Sequence, residues 1–175
     1  MGITIKTNLL VLAILYFLGA SSFAASSPFD DALAAYERGD YVHALKLFRQ
    51  LAEKGHPWAQ RRIGFMYEQG TGVPQDFQEA VKWYRLAAAQ RNSPAQYRLG
   101  LAYEKGQGVA QDVQEALVWY RLAAAQEDEL AQMRLGSIHA EGRDVPQDYK
   151  EAVKWYRLAA AQGYAPAEYS LGVAY

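Results

Sequence analysis

The sequence predicts an all-α protein, a solenoid of helix-turn-helix repeats. Three observations lead there. The octapeptide WYRLAAAQ stands three times, at Trp83–Gln90, Trp119–Gln126 and Trp155–Gln162. Aligning the copies gives a constant period of 36 residues, and 18 of the 36 positions are identical across 59–94, 95–130 and 131–166. Each unit also carries one breaker-rich loop, "GTGVPQD", "GQGVAQD" or "GRDVPQD". A period of roughly 20–50 residues marks units that cannot bury an apolar face alone and must stack on copies of themselves.

Taken in order, residues 1–24 read as a secretory signal peptide. Lys6 precedes the apolar run "LLVLAILYFL" (Leu9–Leu18), and the small-residue segment "GASSFAA" follows. The run is about half the ~20 residues that a membrane-spanning helix needs. Cleavage after Ala24 places Ser22 and Ala24 at the two selective positions, with cleavage after Ser22 and an uncleaved anchor as the alternatives. No cysteine is present for a lipid anchor. The expected location is periplasmic or secreted, with no membrane span in the mature chain.

Residues 25–30 form a short linker, and 31–58 read as a shortened repeat. Tyr36 and Phe48 stand where later units carry Tyr67 and Tyr84, with five residues fewer between them. In the first full unit a helix near Ala59–Gln69 places Ala59, Ile63 and Tyr67 on one face. Gly70 suits its left-handed C-cap. Asp76 caps the next helix, about Phe77–Gln90, and Glu79 lies at capping-box spacing; Asp112/Glu115 and Asp148/Glu151 repeat the pattern. In the third unit Asp144 replaces Gly108, and Asp tolerates the left-handed conformation the turn needs. Residues 167–175 begin a fourth copy that stops at Tyr175 with Leu171 and Tyr175 uncovered. A fragment of a longer array, or an edge that stacks on a second copy or a partner, are the two readings.

The repeated octapeptide has a packing explanation: each unit meets a near-identical neighbour, so the same residues solve the same problem. Trp83 and Tyr84 supply buried area, and Ala87–Ala89 let helices approach. Gly64, Gly100, Gly136 and Gly172 sit inside first helices, where glycine costs about 1 kcal/mol against alanine. A bulky ring crossing there accounts for them.

The run "AQYRLGLAYEKGQGVAQDVQEALVWYRLAAAQ" (Ala95–Gln126) resembles a Sel-1-like repeat, a relative of the tetratricopeptide repeat. The resemblance covers Ala59 to the C-terminus and, more loosely, Asp31–Trp58. Its motifs, "LG-x-x-Y-x-x-G-x-GV-x-QD" and "A-x-x-WY-x-x-A", recur in phase, although His139 replaces Tyr103 in the third unit. The resemblance implies a right-handed α-α superhelix that acts as a protein-interaction scaffold, and exported bacterial members resemble envelope or host-directed adaptors. A cysteine-rich branch of the family is associated with penicillin binding or β-lactamase activity. This chain lacks that branch's cysteine pairs.

The composition excludes several classes. A net charge of −1, or −2 once Lys6 is removed, points to neither nucleic acid nor an anionic membrane. Without cysteine there are no disulfides, thiolate metal sites or cysteine nucleophiles. No S-x-x-K, G-x-S-x-G or H-E-x-x-H motif occurs. His43, His56 and His139 lie in different units without ligand spacing, so neither a metal nor a cofactor is expected. Gly70-Thr71-Gly72 lacks the lysine of a phosphate loop. The Trp-Tyr-Arg triplets could stack on sugars or bases, but their recurrence in phase favours packing.

The differences between units carry the functional expectation. Arg61, Phe65 and Glu68 share a first-helix face, followed at the same positions by Tyr97, Leu101 and Glu104, then Met133, Ser137 and Ala140. In the resembled architecture first helices line the concave groove. A mixture of aromatic, Met, Arg and acidic side chains suits a protein or peptide partner; the competing reading is that Phe65, Leu101 and Met133 pack on neighbouring helices. The resulting expectation is a non-enzymatic exported adaptor. The alternatives are a penicillin- or muropeptide-directed cell-wall protein and a purely structural subunit of an envelope complex.

Overall fold

The structure, a computed structural model, describes residues 26–173. The signal-peptide reading and the uncovered Tyr175 therefore lie outside the described residues. Nine α-helices follow one another without a strand among those residues: α1 (Pro28–Glu37), α2 (Tyr41–Glu53), α3 (Pro57–Gln69), α4 (Phe77–Ala89), α5 (Ser93–Lys105), α6 (Val113–Ala124), α7 (Glu129–Glu141), α8 (Tyr149–Ala161) and α9 (Ala165–Val173). Each helix packs mainly on its immediate neighbours in the chain. That one-dimensional pattern defines an α-solenoid.

Side chains fix the helix starts. The carboxylates of Asp76, Asp112 and Asp148 accept the backbone N–H of Glu79, Glu115 and Glu151. The reciprocal half of the expected capping box is not formed at these positions. The Asp76 N–H donates instead to the Tyr67 carbonyl, and Asp112 and Asp148 do the same to Tyr103 and His139. Among the described residues a full box forms only at Ser27 and Asp30. First helices begin two residues earlier than expected, because His56, Asn92 and Asp128 cap them through their side chains. Arg91-Asn92-Ser93-Pro94 therefore starts α5 as well as ending α4.

At the first-helix C-termini Gly70, Gly106 and Gly142 adopt positive φ, as the C-cap requires. Asp144 does not: among the described residues only Arg91 and Glu127 take positive φ without being glycine. The third turn holds because Gln147 Nε2 donates to the Ala140 carbonyl at 2.8 Å. Gln75 and Gln111 make the same stitch to Glu68 and Glu104.

Tyr84, Tyr120 and Tyr156 are buried and cross the helix glycines. A Cβ on Gly64 would stand 2.7 Å from the Tyr84 ring, and one on Gly100 2.5 Å from Tyr120; Gly136 faces Tyr156 in the same way. The tryptophans reach backwards, Trp83 packing on the core around Phe48 and Ile63, and Trp119 on the core around Tyr84 and Leu99. Arg85 Nη2 donates to the Tyr103 hydroxyl at 2.8 Å, tying one unit to the next. Ala87 and Ala88 are buried, whereas Ala89 faces solvent. The octapeptide's leucine is an exception to the packing account: Leu86, Leu122 and Leu158 are each about half exposed.

The final glutamine explains itself best in three dimensions. Gln90, Gln126 and Gln162 donate to the Oε1 of Gln60, Gln96 and Gln132 at 2.7–2.8 Å. Those buried acceptors each donate to a carbonyl eight residues earlier, Ala52, Ala88 and Ala124. Gln96→Ala is expected to cost about 1 kcal/mol, as measured by urea unfolding: the Ala88 carbonyl keeps the Arg91 N–H and the Gln126 amide keeps the Leu122 carbonyl, so the loss is that of the rung itself.

Candidate functional site

The expected face lies on α3, α5 and α7, and all eight expected residues are half-buried. Two of them serve the stack. Glu68 on α3 accepts the Tyr84 hydroxyl from α4 and Arg98 Nη1, 3.0 Å away on α5. Glu104 repeats the arrangement with the Tyr120 hydroxyl at 2.6 Å and Arg134 Nε at 2.9 Å. Burial pushes the Tyr84 and Tyr120 hydroxyls well above the ordinary tyrosine range, and the adjacent carboxylates add to the effect. Burial also pushes the Glu104 carboxyl up, but the bonds from Arg134 and Tyr120 outweigh it, so the carboxyl titrates below its usual range.

The third unit has lost this arrangement. Ala140 replaces the glutamate, Ser170 stands where the arginine would be, and the Tyr156 hydroxyl has no hydrogen-bond partner among the described residues. The gap around Glu68 and Arg98 measures about 50 Å³. Its counterpart between Ala140, Tyr156 and Tyr169 measures about 290 Å³.

The remaining face residues form a mixed surface. The Arg61 guanidinium lies 5.3 Å from the Trp58 ring centroid, and Arg98 lies 5.3 Å from that of Phe65. The Tyr97 ring is tilted against Tyr120 at 5.8 Å, and burial raises its hydroxyl pKa. Leu101 packs against the core around Tyr120 and Leu135. Ser137 Oγ donates to the Met133 carbonyl at 3.2 Å.

Helical spacing alone does not reveal the glutamate ladder or the glutamine rungs, though the sequence carries a signal of the first. Glu68 and Glu104 each precede an arginine by 30 residues, and where Ala140 replaces the glutamate the residue 30 positions later is Ser170. The loss of both partners together marks them as a pair.

One further covariation runs through the tryptophans. Trp119 Nε1 donates to Glu115 at 2.9 Å. The Trp83 and Trp155 N–H groups are buried without a partner, because Glu79 and Glu151 instead hold Lys82 and Lys154. Unit two has Val118 at the lysine position. Lys82→Val is expected to free Glu79 for the buried Trp83 N–H and raise stability, since an exposed ion pair contributes little. Slower exchange of the Trp83 indole N–H in NMR would accompany the gain.

Among the described residues no group of three or more His, Asp or Glu is placed to hold a metal ion. No helix among them is long and apolar enough to cross a membrane. A stack of near-identical helix pairs, each packed on the next, is the architecture of a helical-repeat scaffold.

The Sel1 repeat model matches residues 32–56, 59–92, 93–128 and 130–164. The chain belongs to the Sel1 repeat family, whose members are generally protein-interaction scaffolds. Among solved structures, it is similar to a Sel1 repeat protein from Oxalobacter formigenes, with 39% identity and a TM-score of 0.79 over 83% of this chain and 59% of that one. It is also similar to a protective antigen with an SLR fold, present in uropathogenic Escherichia coli strains. There the identity is 39% and the TM-score 0.76, over 80% of this chain and 31% of that one. The chain thus spans less than two thirds of the first relative and about a third of the second. Helicobacter pylori cysteine rich protein B shares the fold alone, at 21% identity and a TM-score of 0.54, over 82% of this chain and 96% of that one. No curated protein matches.

Proposed function

We propose that this chain is an exported, non-enzymatic adaptor that binds a protein or peptide through the face formed by α3, α5 and α7. The proposed units are 31–58, 59–94, 95–130 and 131–166, with 167–175 as a partial repeat and 1–24 serving as the signal peptide. One observation carries the reading. The glycine, tryptophan, tyrosine and alanines that pack unit on unit recur in each full copy, whereas the half-buried positions 61, 65, 97, 101, 133 and 137 change between copies from charged to aromatic, aliphatic or hydroxyl side chains on one face. Buried positions that vary stay apolar, as Met66, Ala102 and Ile138 do, whereas Arg61, Tyr97 and Met133 change in charge and polarity, which packing alone does not ask for. Arg61, Phe65, Tyr97, Leu101, Met133 and Ser137 would make the contact. Glu68 and Glu104 belong to the same face but act chiefly by holding Arg98 and Arg134 in place.

The test is affinity capture from cell-envelope and culture fractions, with cross-linking mass spectrometry. The bait without its first 24 residues is compared with its Arg61→Ala, Phe65→Ala, Tyr97→Ala, Leu101→Ala variant. A partner cross-linked to α3 and α5, and lost by a variant whose circular dichroism is still helical, is the expected result. A partner held equally by both would remove the assignment of this face.

A further inference from the structure

The arginines along the first helices are not alike. Arg62, Arg98 and Arg134 occupy the same position in successive units. Arg98 is held by Glu68 and Arg134 by Glu104, the carboxylate coming each time from the preceding first helix. Arg62 has no such partner. Glu37 aligns with Glu68 but is exposed at the end of α1, and Arg62 lies instead over the Tyr36 ring, 5.8 Å from its centroid. Phe48 stands where later units have Tyr84, so the hydroxyl of the ladder is missing as well.

Arg61 beside it is also unpaired, its guanidinium resting on Trp58. Neither arginine has an ion pair or a hydrogen bond among the described residues, and both Nε atoms are buried without a partner. Burial, with Arg62 and Arg98 nearby, lowers the pKa of Arg61, so its charged form is held in unfavourable surroundings. Unsatisfied buried polar groups are rare in folded proteins, and charged ones are costly to leave unmatched. An anion arriving at this point would relieve two cations at once.

We infer that Arg61 and Arg62 bind the carboxylate of an acidic side chain in a peptide segment of the partner, completing in the first full unit the arginine–carboxylate pair that the next two units make internally. The inference rests on the scaffold reading and names the partner's chemistry. A carboxylate fits because the same position already takes one in both later units, and guanidinium groups match it with paired hydrogen bonds. A peptide fits because the face continues past the arginines into Phe65, Tyr97 and Leu101, which suit apolar side chains next to the acidic one.

The test selects displayed random peptides on the full chain and measures a fluorescein-labelled winner by anisotropy. Three comparisons follow: its Glu/Asp→Gln/Asn analogue, the Arg61→Gln, Arg62→Gln variant of the chain, and the Phe65→Ala, Leu101→Ala variant. The winners are expected to be rich in acidic residues, with the analogue and the arginine variant each weakening binding by about tenfold or more. The two losses combined should not add, and affinity should fall with salt. The peptide-side analogue needs no change to the protein, so a poorly folded variant would not blunt the test. Winners without acidic residues, or binding indifferent to both changes, would overturn the inference. The scaffold reading would survive that outcome if the Phe65→Ala, Leu101→Ala variant still lost the peptide. Selection of no peptide would overturn the acidic-segment inference and leave the scaffold reading to the cross-linking result.

Discussion

Tyr120→Ala is expected to lower the unfolding free energy by about 3–5 kcal/mol, the range for removing a fully buried aromatic side chain. Tyr120 has no accessible surface, and its ring fills the space opposite Gly100. The same contact predicts a change of sign at the glycine. In the native chain Gly100→Ala forces a Cβ to 2.5 Å from a ring that cannot swing away, because its hydroxyl is tied to Glu104. That overpacking costs about 1–3 kcal/mol. In the Tyr120→Ala background the clash is gone, and alanine's better helix propensity should make the substitution stabilising by about 1 kcal/mol. Urea unfolding of the four chains measures the coupling. Additive effects would mean that ring and glycine do not meet.

Glu104→Ala is expected to cost about 2–3 kcal/mol, because it strips both the Tyr120 hydroxyl and Arg134 of their acceptor. The Glu104 side chain is only 14% exposed, so water replaces those bonds poorly. The pH dependence follows from the direction of its shift. The folded-state pKa lies below the ordinary glutamate value of 4.5, so the contribution is complete above about pH 4.5. It is lost as pH falls through the lower folded value. Acid unfolding of the native chain should therefore be steeper below pH 4.5 than that of Glu104→Gln, which keeps an acceptor but cannot gain a proton. Identical acid profiles would show that the ion pair contributes nothing to stability.

These two sites show how much of the molecule the sequence made legible. The period, the helix pairs and the glycine–tyrosine crossing could be read because they obey local rules repeated three times, and Gly64, Gly100 and Gly136 make no sense without a ring against them. The glutamine rungs could not be read in the same way. Gln90 and Gln60 are 30 residues apart, and only stacking brings them together. The capping boxes failed at one half because the Asp76 N–H is claimed by the Tyr67 carbonyl, a bond made across the loop rather than within the helix. Asp144 failed because a turn can be held by Gln147 without a left-handed residue at that position. On the candidate face, spacing gathered the eight residues onto three first helices, but it could not say that Glu68 and Glu104 already have arginine partners. Nor could it say that Arg61 and Arg62 have none.

If the buried apolar positions of the first helices build the stack and their half-buried varied positions recognise the partner, the two sets must separate in a single experiment. That experiment is an alanine scan across α3, α5 and α7, read in parallel for urea stability and for binding of the captured partner. Changes at Ile63, Leu99 and Leu135 should lower stability by about 2–4 kcal/mol with no binding loss beyond the unfolded fraction. Changes at Arg61, Phe65 and Met133 should weaken binding while costing about 1 kcal/mol or less. If the half-buried positions cost as much stability as the buried ones, and binding merely follows the folded fraction at both, the division between scaffold and recognition surface is wrong.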